Sequence, residues 1–298
     1  MKIKYLISII LILTASGCSK EYSVGKIFVV DETTTNKDLN LSEMAEKLIK
    51  KTKNIGIKST DNSNSTLKIT VSEMTVSKDK NKIKNRYSVN LTLTATLKDN
   101  SIQIFQSESS SLSEPDVQDT HSQINTLLYN ALLKLDYQCS IRKYKEEELF
   151  KLFEDKRLTR WQKETIIDEI GSRLSSGLIV NYEGIWKFLY SIFLKDNKQY
   201  GEKILGILSS ADFSKFNLSE ERKSNLAEAL INYSIGKEAH IQMHTISILA
   251  KLNNEISRAY IFTLSTGSTN KNIREHAKEV RDALEKRINT PDHTITSK

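Results

Sequence analysis

Two histidines, His240 and His244, lie one helical turn apart and have the spacing of a pair of metal ligands on one helix face. A zinc-hydrolase motif of this spacing carries a glutamate directly after the first histidine. Here Ile241-Gln242-Met243 fills the interval. No third ligand stands nearby in sequence, so the pair reads as helix-surface residues and no metal site is expected. Ser175-Ser176-Gly177 has the small residues of a nucleophile turn, but it closes a helical pattern and does not leave a strand. Glu146-Glu147-Glu148 brings three carboxylates together at the start of a helix. Negative charge there favours the helix dipole, so a solvated first turn is expected and not an acid–base pair. No glycine-rich phosphate loop occurs. Of the two cysteines, Cys139 follows an apolar helical pattern with no adjacent base to lower its pKa. It reads as a small buried hydrophobe. Catalytic, cofactor-binding and metal-ligating residues are therefore not expected, and neither are cofactors; the chain reads as a protein that is not an enzyme.

The other cysteine, Cys18, sits in a different context. Lys2 and Lys4 give a positive start, Tyr5 to Leu13 is almost wholly apolar, and Thr14-Ala15-Ser16-Gly17 supplies small residues before it. The apolar run is about half the ~20 residues that a spanning helix needs. It reads as the apolar core of a signal peptide and not as a membrane span. The order resembles a bacterial lipoprotein signal with its lipobox, which implies cleavage between Gly17 and Cys18 and acylation of Cys18. Ala15 departs from the leucine that lipoboxes prefer at that place. The alternative is an ordinary secretory signal cut near Gly17, with Cys18 a plain thiol. Each buried acyl methylene adds about 0.8 kcal/mol of membrane affinity, so two or three chains anchor stably. Ser19 after the cysteine resembles the outer-membrane sorting type. The implied address is the outer membrane, facing the periplasm, or the outer face of the plasma membrane in a host with one membrane.

Net charge is +7 over 298 residues, but lysine and arginine are interspersed with aspartate and glutamate. The densest basic stretch, Lys78-Asp79-Lys80-Asn81-Lys82-Ile83-Lys84, reads as a solvated hairpin loop. So diluted a charge argues against nucleic-acid binding. Attraction to anionic headgroups or lipopolysaccharide phosphates fits better for a chain tethered at such a surface.

The elements that must carry any function fall into two periodicities. Residues 1–17 are the signal, and 18–25 are the lipidated cysteine and a linker. Over 26–139 the pattern mixes twofold and helical periods. Lys26-Ile27-Phe28-Val29-Val30 is a short apolar run, read as a buried strand. Asn40 with Glu43 makes a capping-box pattern before Leu41, Met44, Ala45, Leu48 and Ile49, with Gly56 as the stop. Leu67, Ile69 and Val71 alternate with polar residues, and Met74 and Val76 fall out of phase, which predicts a bulge near Ser72-Glu73. Val89, Leu91, Leu93, Ala95 and Leu97 alternate strictly with polar neighbours. Ile102 to Phe105 follows as an antiparallel neighbour, Ser107 to Asp119 reads as loop, and Ile124 to Leu135 repeats at helical spacing. The sum is a two-layer α+β domain, β-α-β-β-β-α, with two helices on one side of a sheet of about four strands.

Signal, lipobox cysteine and this order of elements resemble the lipopolysaccharide-assembly lipoprotein family of the outer membrane. Strand Lys26–Val30 and the alternating strand Ser88–Leu97 carry the likeness, which covers the signal and residues 24–138. Periplasmic activators of peptidoglycan synthases share the layout, as does the small domain of the Tol system's propeller protein. The family implies an envelope assembly role, and none of its functional residues transfers to a position here.

From 143 to 289 the twofold pattern disappears. Successive helical stripes run from Leu149 to Leu284, with Asn217, Ser219 and Asn272 as cap candidates. Asn272 to Leu284, and Ile241 to Leu252 before it, resemble HEAT-like repeat helices; the alternative is an irregular helical bundle. The lipopolysaccharide-assembly family has no such domain. Thr290 to Lys298 reads as a disordered tail. Together these features lead to the expectation of a lipid-anchored, non-enzymatic scaffold that binds an envelope protein, with lipopolysaccharide as a candidate ligand. The alternatives are an activator of a peptidoglycan synthase and an envelope hydrolase with an unrecognised site.

Overall fold

The computed structural model describes residues 22–33, 40–57, 65–79, 82–96, 102–113 and 120–289. The chain divides into two compact units, with the boundary between Lys143 and Tyr144.

The first unit is α+β. Its elements are β1 (Tyr22–Val24), β2 (Lys26–Glu32), α1 (Leu41–Ile49), β3 (Ile55–Ile57), β4 (Thr66–Asp79), β5 (Lys82–Thr96), β6 (Ile102–Ser113) and α2 (Thr120–Ile141). The main sheet has the order β2-β4-β5-β6, with β2 parallel to β4 and the other pairs antiparallel. The parallel pair requires a crossover, which α1 supplies. The alternation on β5 is what places the core. Leu67 pairs with Leu93, Ile69 with Leu91 and Val71 with Val89, and all six are buried. Leu41, Ala45 and Ile49 of α1 and Ile124, Leu128, Leu132 and Leu135 of α2 close over the same face in one cluster. Each such aliphatic side chain contributes about 1.5–3 kcal/mol by leaving water. Cys139 is fully buried in this cluster.

Asn40 caps α1 as the sequence predicts, its side-chain oxygen accepting from the Glu43 amide at 3.2 Å. Several details differ. Core residues begin at Tyr22 and Val24, which belong to β1, paired in parallel with β3. Gly56 lies inside β3 and does not stop α1, which ends at Ile49 with Lys50 as its C-cap. The register shift in β4 falls between Thr75 and Ser77, while Ser72 and Glu73 pair regularly. Met74 therefore lies on the opposite face simply because alternation continues through it. The basic stretch is mostly strand: β4 and β5 remain paired as far as Asp79 and Lys82.

Lys26–Val30 is a strand, but it sits at the sheet edge with Phe28, Val29 and Val30 exposed. The expected loop from Ser107 is strand up to Ser113, because backbone pairing to β5 needs no apolar side chains. Ser107 Oγ adds a bond to the Ala131 carbonyl at 2.8 Å.

One buried acid organises the turn after α1. Asp136 on α2 accepts from the backbone amides of Lys53, Asn54 and Ile55 at 3.2, 2.7 and 3.1 Å. Those amides would otherwise be orphaned between α1 and β3.

The second unit is all-α: α3 (Glu146–Phe153), α4 (Arg160–Ser176), α5 (Tyr182–Ser210), a 3-10 turn (Phe213–Phe216), α6 (Glu220–Ser234), α7 (Ala239–Leu252), α8 (Glu255–Gly267) and α9 (Lys271–Asn289). The sequence predicts two helices over α5. The structure runs them together through a break at Asp196, with φ −130° and ψ 31°. Beyond the break α5 follows α4 in the same direction: Lys203 meets Asp168 at 2.6 Å, and Gly171 faces Ile207. α5, α7 and α9 then pack in one row, and α6 packs on α8 in another. This stacking of each helix on the next but one is the arrangement of a helical-repeat solenoid. Close approach is set at Gly201, where an added methyl would lie 2.7 Å from the Tyr233 ring.

Ser219 caps α6, as predicted. Asn217 instead ends the 3-10 turn in the left-handed region at φ 48°, a conformation that asparagine tolerates. The acceptor at the start of α9 is Asn270, whose side chain takes the Asn272 and Ile273 amides, so Asn272 is a donor and not the cap.

Candidate functional site

The expected lipidation junction, Gly17 and Cys18, lies outside the described residues, as do the rest of the expected signal and the tail 290–298. Geometry is therefore available for the other residues that the sequence singles out.

His240 and His244 occupy α7. His240 Nε2 lies 3.0 Å from Glu202 and Nδ1 lies 3.4 Å from Glu238, all at the surface. Among the described residues no three His, Cys, Asp or Glu side chains converge as a metal site. Ser175 and Ser176 end α4, and Gly177 caps it at φ 70°; both hydroxyls bond back to the Ser172 carbonyl.

The glutamate triplet departs from the expectation of a solvated turn at its first member, while Glu147 and Glu148 are exposed. Glu146 is buried, and its carboxylate accepts from the Val180 and Asn181 amides at 3.1 and 3.0 Å. Glu147 accepts from the Asn181 side chain at 3.1 Å, which lowers its pKa. Glu148 accepts from the Lys145 amide at 2.7 Å, reaching back to the N-cap of α3. Glu146 thus fixes the α4–α5 loop and holds Val180 out in solvent, 94% exposed. Nearby, Arg157 donates to Asp155 from its amide and its guanidinium, which pulls the Asp155 carboxyl down to about 2. Lys251 donates to the carbonyls of Ser209 and Ala211 at the end of α5, and burial lowers its pKa. These are structural bonds.

What the structure brings together in the first unit is a surface. On the sheet face away from the helices, Thr66, Thr70, Ser72, Ser88, Asn90, Thr92, Thr94 and Thr96 occupy the middle strands, in register across β4 and β5. Ser72 and Ser88 share a hydroxyl–hydroxyl bond of 2.7 Å. Apolar side chains flank this polar strip. Phe28 and Val30 stand on β2, and Ile102 and Ile104 on β6 are 65% and 63% exposed. These exposed apolar side chains thus stand in two pairs, one at each edge of the sheet, with the polar strip between them.

The helical unit offers two recesses. One of about 700 Å³ lies between α8 and α9, lined by Glu255, Arg258, Ala259, Phe262, Arg281 and Leu284 among others, with Phe262 56% exposed. A smaller one of about 260 Å³ lies between α4 and the second half of α5, beside Gly171 and Gly206. Neither collects a nucleophile beside a base. The open sheet face and the recesses escaped the sequence reading. Their signal, the non-core member of each alternating pair, becomes meaningful only once strand order is known.

No protein-family profile matches the sequence. No curated protein matches it either. Among solved structures, the chain is similar to the crystal structure of the rare lipoprotein B from Shewanella oneidensis, at 12% identity and a TM-score of 0.24, over 37% of this chain and 90% of that one. A likeness so slight carries no weight for fold or function.

Proposed function

We propose that the chain is a lipid-anchored lipoprotein of the bacterial envelope, acting as a non-enzymatic binding scaffold. The observation that carries this reading is the N-terminal order of lysines, apolar run, small residues and Cys18. Two features of the folded units are in keeping with it: the open sheet face with apolar margins, and a helical stack of the kind that presents extended surface to another protein. The finer proposal places the anchor in the outer membrane, from Ser19 after the cysteine, and the role in assembly of lipopolysaccharide or outer-membrane protein.

Expression of the full chain in a bacterial host fed labelled palmitate tests the anchor. The chain incorporates label and sediments with membranes, while Cys18→Ser loses both. An unlabelled wild-type chain, or a Cys18→Ser variant that stays on membranes unchanged, overturns the reading. Crosslinking in intact cells then separates the roles: recovery of an outer-membrane assembly component supports the finer proposal, and recovery of a peptidoglycan synthase alone replaces it.

A further inference from the structure

The two edges of the main sheet are treated differently. At the β6 edge, α2 reaches down to the strand: Gln138 Nε2 donates to the Gln106 carbonyl at 2.7 Å, and Lys134 Nζ to the Glu108 carbonyl at 2.6 Å. Two carbonyls in the middle of that strand are therefore occupied. At the other edge, β2 pairs with β4 on one side, and among the described residues no strand pairs with its other side. A strand bonded along one edge presents a row of amides and carbonyls along the other. Edge strands are ordinarily guarded by proline, or by charge in mid-strand. β2 reads Lys-Ile-Phe-Val-Val-Asp-Glu, with neither over Ile27–Val30.

The order of charges on β2 selects a partner. We propose that β2 pairs antiparallel with β2 of a second copy of this chain, about a two-fold axis at Val29. In this register Lys26 faces the second copy's Glu32, Phe28 faces its Val30, and the same contacts repeat across the axis. Lys26, Phe28, Val30 and Glu32 all lie on the open face, since their partners Thr66, Lys68, Thr70 and Ser72 do. The pairing thus places two opposite-charge pairs and two aromatic–β-branched pairs side by side on one continuous surface. Cross-strand pairs of these kinds stabilise a sheet, and like charges placed opposite destabilise it. Sliding the register by two residues in either direction leaves Lys26 or Glu32 without its counterpart, so one alignment is singled out. The two sheets join into one of eight strands. Such an interface is isologous and self-limiting. The inference does not depend on the lipid anchor.

The test uses the full chain in detergent, followed by sedimentation equilibrium, with circular dichroism to confirm that each variant keeps its fold. The wild-type chain forms dimers. Lys26→Glu and Glu32→Lys each put two like-charge pairs in the interface and weaken dimerisation about tenfold or more. An equimolar mixture of the two variants restores it, because each then supplies the charge that the other lacks. A Val29→Cys variant, carrying Cys18→Ser so that no other cysteine but the buried Cys139 is present, forms an intermolecular disulfide under oxidising conditions. Residues directly opposite on antiparallel strands have Cα atoms about 4.5–5.5 Å apart, within disulfide reach. A monomeric wild-type chain overturns the proposal, and so does a dimer that ignores both charge reversals and leaves Val29→Cys unlinked.

Discussion

In the α+β unit, residues far apart in sequence meet in one cluster: Tyr22 of β1, Leu91 of β5 and Leu135 of α2 all belong to it. In the helical unit, α7 packs on α5, α6, α8 and α9, so its neighbours come from the adjoining stretch of chain. The first arrangement makes every strand answerable to every other. The second divides the core into a series of local interfaces, whose stabilities add approximately along the stack. Long-range pairing also slows folding, so the α+β unit is expected to fold later than the helices once both are synthesised.

Matched cavities in the two cores test this contrast most severely. Leu91→Ala removes a buried side chain from the centre of β5 and costs about 4 kcal/mol, lowering hydrogen-exchange protection across β4, β5, β6 and α2 together. Leu249→Ala on α7 costs about 3 kcal/mol, with protection lost in α6–α9 while α3 and α4 keep theirs. Uniform loss from α3 to α9 would show the helical unit to be as cooperative as the other.

A smaller effect compares two acids that do the same work. Asp136 holds three backbone amides and Glu146 holds two. Asp136→Ala is expected to cost about 3 kcal/mol in urea titrations, because it strands donors beside the shared core. Glu146→Ala costs about 2 kcal/mol and acts locally. Proteolysis reads the difference: cleavage appears at Leu178–Asn181 in the Glu146 variant, with the rest of the helices protected.

The smallest effect concerns pH. Asp155 has a folded pKa of about 2, below the ordinary 3.8, through its bonds from Arg157. Its contribution to stability is present above the unfolded value and is lost as pH falls from about 4 toward 2. The pair is exposed, so the change is slight. Asp155→Asn should flatten that part of the acid-unfolding curve of the helical unit and leave the α+β unit's curve unaltered.

What the sequence makes legible follows the same division. The β5 stripe Val89, Leu91, Leu93 and Ala95 is readable because each alternate residue is apolar and each is buried. The Asn40 cap and the α2 stripe are readable because they depend on neighbours within one turn. The edge position of β2 is not readable, since an unbroken apolar run looks the same whether or not both its sides are covered. The serine-rich end of β6 is hidden for a related reason: its place is earned by backbone pairing, which leaves no trace in side-chain type. Glu146 looks like any acidic first-turn residue until Val180 and Asn181 arrive from more than thirty positions away. The expected junction at Gly17 and Cys18 lies outside the described residues and rests on sequence alone. The hydroxyl strip and its apolar margins were present as the unremarked halves of patterns read for their core.

Gly201 fixes more than a contact. The far end of the Tyr233 side chain fills the place where a side-chain carbon of residue 201 would stand, and the ring rests edge-to-face on Phe193 with the Lys237 ammonium over it. A lineage that exchanged Gly201 for alanine would have to turn that ring aside, giving up its packing on Phe193 and its place under the Lys237 ammonium together.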